Sequence, residues 1–289
     1  IAEPGQEIEI RINSNIRKKI LAVHNVLVEY PGLSEHVWML GAHLDSVPEG
    51  PGINDNGTGV ASLLEIAKQL SQEQPPLAHG VRFAFWGAEE VGLVGSLHYV
   101  RELPAEERTR ILGYLNFDMI GSPNPGRYIY DGDGSTFSLD IDVPPGSGAI
   151  EQAFIEHFNT YQMPHAPTQL DGRSDYHAFT LAGIPAGGLF TGANDRMSGR
   201  DAGLFDGQAG SPFDPCYHQS CDKTENVNMR ALHEMTNAAA YTLLTLMEND
   251  AFPSSVRGVD AVQSVTSTVH KPQIPSILPG NCHHAIPDI

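Results

Sequence analysis

Positive charge is scarce in this chain: 17 Lys and Arg stand against 35 Asp and Glu, a formal net charge of −18. So acidic a surface repels phosphate backbones and excludes nucleic acid as an expected partner. Long apolar runs are also missing. None approaches the ~20 residues that a membrane-spanning helix needs, so no membrane partner is expected. The sequence opens at Ile1 without a Met or a charged-then-apolar leader, as a processed or truncated product would. Cysteine is rare, with three in 289 residues. Cys216 and Cys221 flank four residues, a spacing that fits a small disulfide loop around Tyr217 and His218. A zinc-binding pair is the competing reading, weakened by the lack of a second Cys pair. A disulfide implies an oxidising compartment, so a secreted or periplasmic location is expected. Glycine-rich GGLFTGA lacks the P-loop lysine and the G-x-G-x-x-G spacing, which excludes phosphate binding there.

What is present is an alternation of strand and helix patterns. EIEIRIN and ILAVHNVLVEY read as edge strands, and VWMLGA (37–42) as a strand buried on both faces. A Gly-, Pro- and Asn-rich loop covers 48–59. Val60, Leu63, Leu64, Ala67 and Leu70 then form a helical stripe that Gln74-Pro75-Pro76 ends. Strands are expected at 81–87, 112–118 and 184–190. Helices are expected at about 91–102, around Ile150, Phe154, Phe158 and Tyr161, and at about 229–247. This order implies an α/β fold: a mixed, mostly parallel central sheet flanked by helices on both faces. Residues 1–252 are read as the catalytic domain and 253–289 as an extended tail.

Five metal-ligand-type side chains stand in five short motifs: His43 in GAHLDS, Asp55 in GINDNGTG, Glu90 in WGAEEVG, Asp118 in NFDMIGS and His218 in CYHQSCD. Singly, each has a bland explanation. A lone HLD is a satisfied core histidine, NDNG an Asx turn, AEE a solvated acidic turn. Jointly they match a pair of divalent metals. With Asp55 shared, His43 and Asp118 complete one metal and Glu90 and His218 the other, each keeping a position for water. Such a pair activates water and polarises a carbonyl. Glu89 cannot take its neighbour's place on the same metal face, which leaves it as the proton carrier. The set reads as hydrolysis.

Longer stretches carry a family resemblance. GAHLDSVPEGPGINDNGTGVASLLEIAKQL, RFAFWGAEEVGLVGS, GYLNFDMIGSPNPG, DGRSDYHAF, GIPAGGLFTGA and CYHQSCDKTENVN resemble the dizinc aminopeptidases among the zinc metallo-exopeptidases. The likeness is strongest to the secreted Streptomyces-type leucine aminopeptidase. It implies removal of N-terminal residues, large apolar ones by preference, from peptides with a free N-terminus, by a monomer with two Zn2+ per chain. It also implies Glu89 as general base, Tyr217 as donor to the developing oxyanion, Arg173 as organiser of the substrate's N-terminal end, and a cis Asp55–Asn56 peptide. SDYHAF departs from the commoner SDHAPF, which leaves the place of His177 open. Met229 and His233 stand where the Streptomyces-type calcium site has acids, so no calcium site is expected. The EIEIRIN opening resembles the return from an inserted protease-associated domain.

Other readings of the scaffold are a carboxypeptidase, an aminoacyl cyclase, or an inactive receptor-like domain. The first needs cations to hold a terminal carboxylate, and Arg173 is the obvious one near a motif. The last usually lacks a ligand or the base, and here all are present. Met119 adjoins Asp118 and is the candidate for touching the substrate side chain, with core packing as its alternative. His24, His79, His98, His157, His165 and His233 stand outside the metal-ligand motifs and read as surface or packing residues. Cys282-His283-His284 reads as tail rather than metal site.

Overall fold

Side-chain alternation along three fully buried strands decides the architecture. The computed structural model describes residues 11, 13–16, 20–138 and 141–248. The expected tail from 253, with Cys282, and most of EIEIRIN lie outside these residues. The strands are β1 (Val26–Tyr30), β2 (Val37–His43), β3 (Gly80–Trp86), β4 (Ile111–Phe117), β5 (Tyr128–Tyr130), β6 (Ala166–Thr168) and β7 (Ala186–Phe190). They form one sheet in the order β1-β3-β2-β4-β7-β5-β6. The pairs β2–β3, β2–β4, β4–β7 and β5–β6 are parallel; β1–β3 and β5–β7 are antiparallel. The mixed, mostly parallel sheet expected from the sequence is the one that forms.

The helices are α1 (Thr58–Glu73), α2 (Val94–Glu102), α3 (Ala105–Arg110), α4 (Ser147–Thr160), α5 (Tyr176–Leu181), α6 (Gly199–Phe205) and α7 (Met229–Glu248). Every residue of β2, β3 and β4 is buried, which is why these strands read as continuous apolar runs. Trp38, Leu40, Phe83 and Leu115 pack on one face, against Leu63 of α1, Phe154 of α4 and Leu243 of α7. Met39, Ala84, Trp86 and Tyr114 point the other way, toward Val100 of α2 and Phe179 of α5. Helices therefore cover both faces. Each fully buried large apolar side chain contributes about 1.5–3 kcal/mol through burial.

α2 begins later than its pattern suggests. Gly92 (φ 108°) and Leu93 (φ 58°) take left-handed backbone in the turn that follows the acidic pair, and that turn consumes the first expected helical residues. Among the described residues no helix is long and apolar enough to cross a membrane.

Candidate metal centre

All five candidate ligands converge beyond the carboxyl ends of the strands. His43 is the last residue of β2 and Asp118 directly follows β4. Glu89 and Glu90 follow β3, after Ala88 in left-handed backbone. Asp55 sits in the loop Ile53–Gly57 that feeds α1, and its peptide to Asn56 is cis. His218 comes from the loop before α7, which a Cys216–Cys221 disulfide closes. The disulfide reading of the Cys pair thus holds over the zinc one.

Asp55 faces two histidines with different oxygens. Its Oδ1 lies 3.1 Å from His43 Nε2, and its Oδ2 lies 3.1 Å from His218 Nε2. His43 Nε2 also meets Asp118 Oδ1 at 3.2 Å, and His218 Nε2 meets Glu90 Oε2 at 3.1 Å. Two three-residue sets result, His43–Asp55–Asp118 and Asp55–Glu90–His218, each with ligand atoms within 4.8 Å of one another. Glu89 forms a third such set with His43 and Glu90.

The donor set fits divalent metal. Glu90 Oε1 is a buried atom without a hydrogen-bond partner, and His218 Nε2 stands 3.1 Å from both Asp55 Oδ2 and Glu90 Oε2. Proton affinities tell the same story. Burial pushes His43 down, yet Asp118 and Asp55 hold it well above its ordinary value. Asp55 likewise raises His218. Burial and then Asp118 push Glu89 up to about 9, and burial and then Asp55 push Glu90 up to about 7. Protons alone leave crowded acids and imidazoles competing; a cation bound by nitrogen and oxygen relieves both.

The ligands are held from behind. The carbonyl of Asp45 accepts from His43 Nδ1 at 2.9 Å, which turns Nε2 toward the carboxylates. The Asp45 carboxylate accepts from the backbone N–H groups of Glu89 and Glu90 at 3.0 and 3.2 Å. Asp222 accepts from the N–H groups of Asn54 and Asp55 at 2.8 and 3.1 Å. Ser174 donates to Asp118 Oδ2 at 2.6 Å, and Asp214 accepts from Asn54 Nδ2 at 2.6 Å. None of these was assigned from sequence, although Asp45, Ser174 and Asp222 all lie inside the quoted motifs.

A cavity of about 620 Å³ opens onto the cluster. Glu89, Met119, Arg173 and Tyr217 line it, so each expected substrate-side residue is at the site. Met119 is also buried, at 3% exposure, as its packing reading expects. His177 lines the cavity as well, and its Nδ1 has no hydrogen-bond partner. Tyr217 stacks on His218 at 3.8 Å, and burial followed by Asp55 raises its phenol, which therefore keeps its proton. His157 lies apart, on α4, against Tyr161 and against Tyr241 of α7.

The sequence profile of peptidase family M28 matches residues 25–243. An aminopeptidase of Pseudomonas aeruginosa (strain UCBPP-PA14) is 48% identical over 236 residues, covering 81% of this chain and 43% of the relative. Leupeptin-inactivating enzyme 1 of Streptomyces exfoliatus is 41% identical over 265 residues, covering 89% and 57%. BSAP, a zinc aminopeptidase from Bacillus subtilis, has a TM-score of 0.63 at 24% identity, over 80% of this chain and 52% of that one. At that identity the likeness is one of fold. The chain spans about half the length of the relatives it matches.

Proposed function

We propose that this chain, which belongs to peptidase family M28, is a zinc aminopeptidase that removes N-terminal residues from peptides. One observation carries the reading: the Asp55 carboxylate, whose two oxygens stand 3.1 Å from two different histidines. Asp55 would be shared by two ions, His43 and Asp118 would complete the hold on one, and Glu90 and His218 would complete the other. A bound zinc pair supplies Lewis acidity toward the scissile carbonyl and makes water a nucleophile near neutral pH.

The chain's own groups do the rest. Glu89 takes a proton from the attacking water and hands it to the leaving amine as the C–N bond breaks. Burial and neighbouring acids raise its affinity for that proton. Tyr217, protonated and lining the cavity, donates to the oxyanion; groups in that role contribute about 2.7–4 kcal/mol. Arg173 and Met119 line the same cavity, with Arg173 at the substrate's N-terminal end and Met119 against its side chain. Large apolar first residues, two zinc ions per chain, a monomer and a secreted or periplasmic location complete the proposal. The disulfide and a probable lipoprotein aminopeptidase among the relatives support the location.

Leucine p-nitroanilide is the test substrate. The zinc-loaded protein should cleave it, leave its N-acetyl form intact, and lose activity to a chelator. No cleavage of any free-amine substrate after zinc is restored would overturn the proposal. Metal analysis should return about two zinc per chain.

A further inference from the structure

Behind the ligands, a file of polar groups crosses the otherwise apolar face of the sheet that meets α2 and α5. Trp86 Nε1 donates to the Tyr114 hydroxyl at 2.8 Å, and Tyr114 donates to Asn116 Oδ1 at 2.9 Å. Asn116 Nδ2 donates to Ser174 Oγ at 2.8 Å, and Ser174 donates to Asp118 Oδ2 at 2.6 Å. Trp86 and Tyr114 are fully buried, and Asn116 is 1% exposed. Chemistry at the two ends fixes the direction of the file. An indole N–H can only donate and an ionised carboxylate can only accept. Every group between them therefore points its hydrogen toward Asp118. Bonds aligned this way polarise one another in a low-dielectric interior.

Strand alternation builds the file. Tyr114, Asn116 and Asp118 fall at i, i+2 and i+4 along and just beyond β4, so they share a face. β2 lies between β3 and β4 and sets Gly41 opposite Asn116. A Cβ placed on Gly41 would overlap both the Tyr114 hydroxyl and Trp86 Nε1. Gly41 is thus the opening through which Trp86 of β3 reaches Tyr114 of β4 across the intervening strand. Phe179 stacks on the Tyr114 ring at 3.8 Å. Burial, with Asp175 nearby, holds the phenol well above its ordinary value, so it keeps the proton it donates.

We propose that Trp86, Tyr114 and Asn116 are positioning residues for Asp118: the file occupies Oδ2 through Ser174 and leaves Oδ1 as the one oxygen offered to the metal beside His43. This rests on the zinc reading above. The file makes the two metal positions unequal, because it ends on Asp118 and not on Glu90, whose Oε1 has no hydrogen-bond partner.

Zinc titration of the metal-stripped protein against a chromophoric chelator resolves two dissociation constants. Tyr114→Phe keeps the stacked ring and removes only the hydroxyl. It should weaken one constant about tenfold, as loss of an outer hydrogen-bond partner does, and leave the other unchanged. Ser174→Ala should weaken the same constant at least as much, and Ser174→Thr, which keeps a hydroxyl, should restore it. Unchanged constants in Tyr114→Phe, or equal weakening of both, would overturn the proposal, since a loosened fold spares neither position. If Tyr114→Phe does not fold, Trp86→Phe serves, with a smaller shift confined to the same constant; an unshifted constant there is equally fatal. Failure of the wild-type chain to bind zinc would instead count against the aminopeptidase reading itself.

Discussion

The two halves of the candidate centre are held by different means. His43 and Asp118 stand at the ends of neighbouring strands, and the His43 side chain is 1% exposed. Backbone and buried hydrogen bonds from Asp45 and Ser174 fix their directions. Glu90 and His218 stand on loops, and the His218 side chain is 32% exposed. Their frame is a disulfide, the Asp45 contact beneath the acidic pair, and the contacts of Asp214 with Asn54 and of Asp222 with Asp55. One half inherits its order from the sheet. The other depends on a covalent tie and a few buried carboxylates, so damage to the sheet and damage to the loop should read out differently.

Glu89, the proposed base, belongs to neither half, and its loss should be the largest single effect on turnover. Glu89→Gln should lower kcat by about 10²–10⁴ while zinc content stays unchanged. Loss of zinc would instead make Glu89 a ligand, as its set with His43 and Glu90 permits.

Replacing each histidine sharpens the contrast. His43→Ala leaves buried Asp55 and half-buried Asp118 without their counter-charge and should destabilise the metal-free protein by about 3 kcal/mol in urea unfolding. His218→Ala, at a partly exposed position, should cost under about 1 kcal/mol. Equal losses would erase the distinction. Removing the disulfide with Cys216→Ser and Cys221→Ser should cost about 2 kcal/mol for so short a loop. Zinc should then leave the Glu90–His218 half first, which metal analysis at limiting chelator can follow.

The smallest effect is expected far from both halves. Burial holds His157 at about 4, below its unfolded value of about 6.5. Between those values the folded state binds fewer protons than the unfolded one, so stability falls as pH drops through that window and levels off below it. His157→Phe should flatten this part of the Tm–pH curve without changing zinc affinity. An unchanged curve would remove His157 from the acid response.

His43, Glu90 and Asp118 were legible as candidate ligands because each sits where an apolar strand stops, and Asp55 and His218 because each stands in a short polar motif of a loop. The sheet class followed from continuous runs in β2, β3 and β4, and α1 and α4 from their stripes. β5 and β6 span three residues each, and α3 and α5 six each, too short for any period to show. The positioning groups were hidden for another reason. Asp45 reaches Glu89 across 44 residues and Asp222 reaches Asn54 across 168, and nothing local in SCD or HLD announces a backbone partner so distant. The file from Trp86 to Asp118 was masked by its own composition, since Trp and Tyr in apolar strands read as core.

The span from Asn54 to Asp222 bears on how the protein is made. A ribosome adding about 5–20 residues per second releases the first candidate ligand roughly 9–35 s before the last. Throughout that interval Asp55 has no Asp222 to hold its backbone, and an ion captured early meets an incomplete set. Both three-residue sets that share Asp55, and the Asp222 contacts behind it, are therefore complete only once the segment through Asp222 has been made.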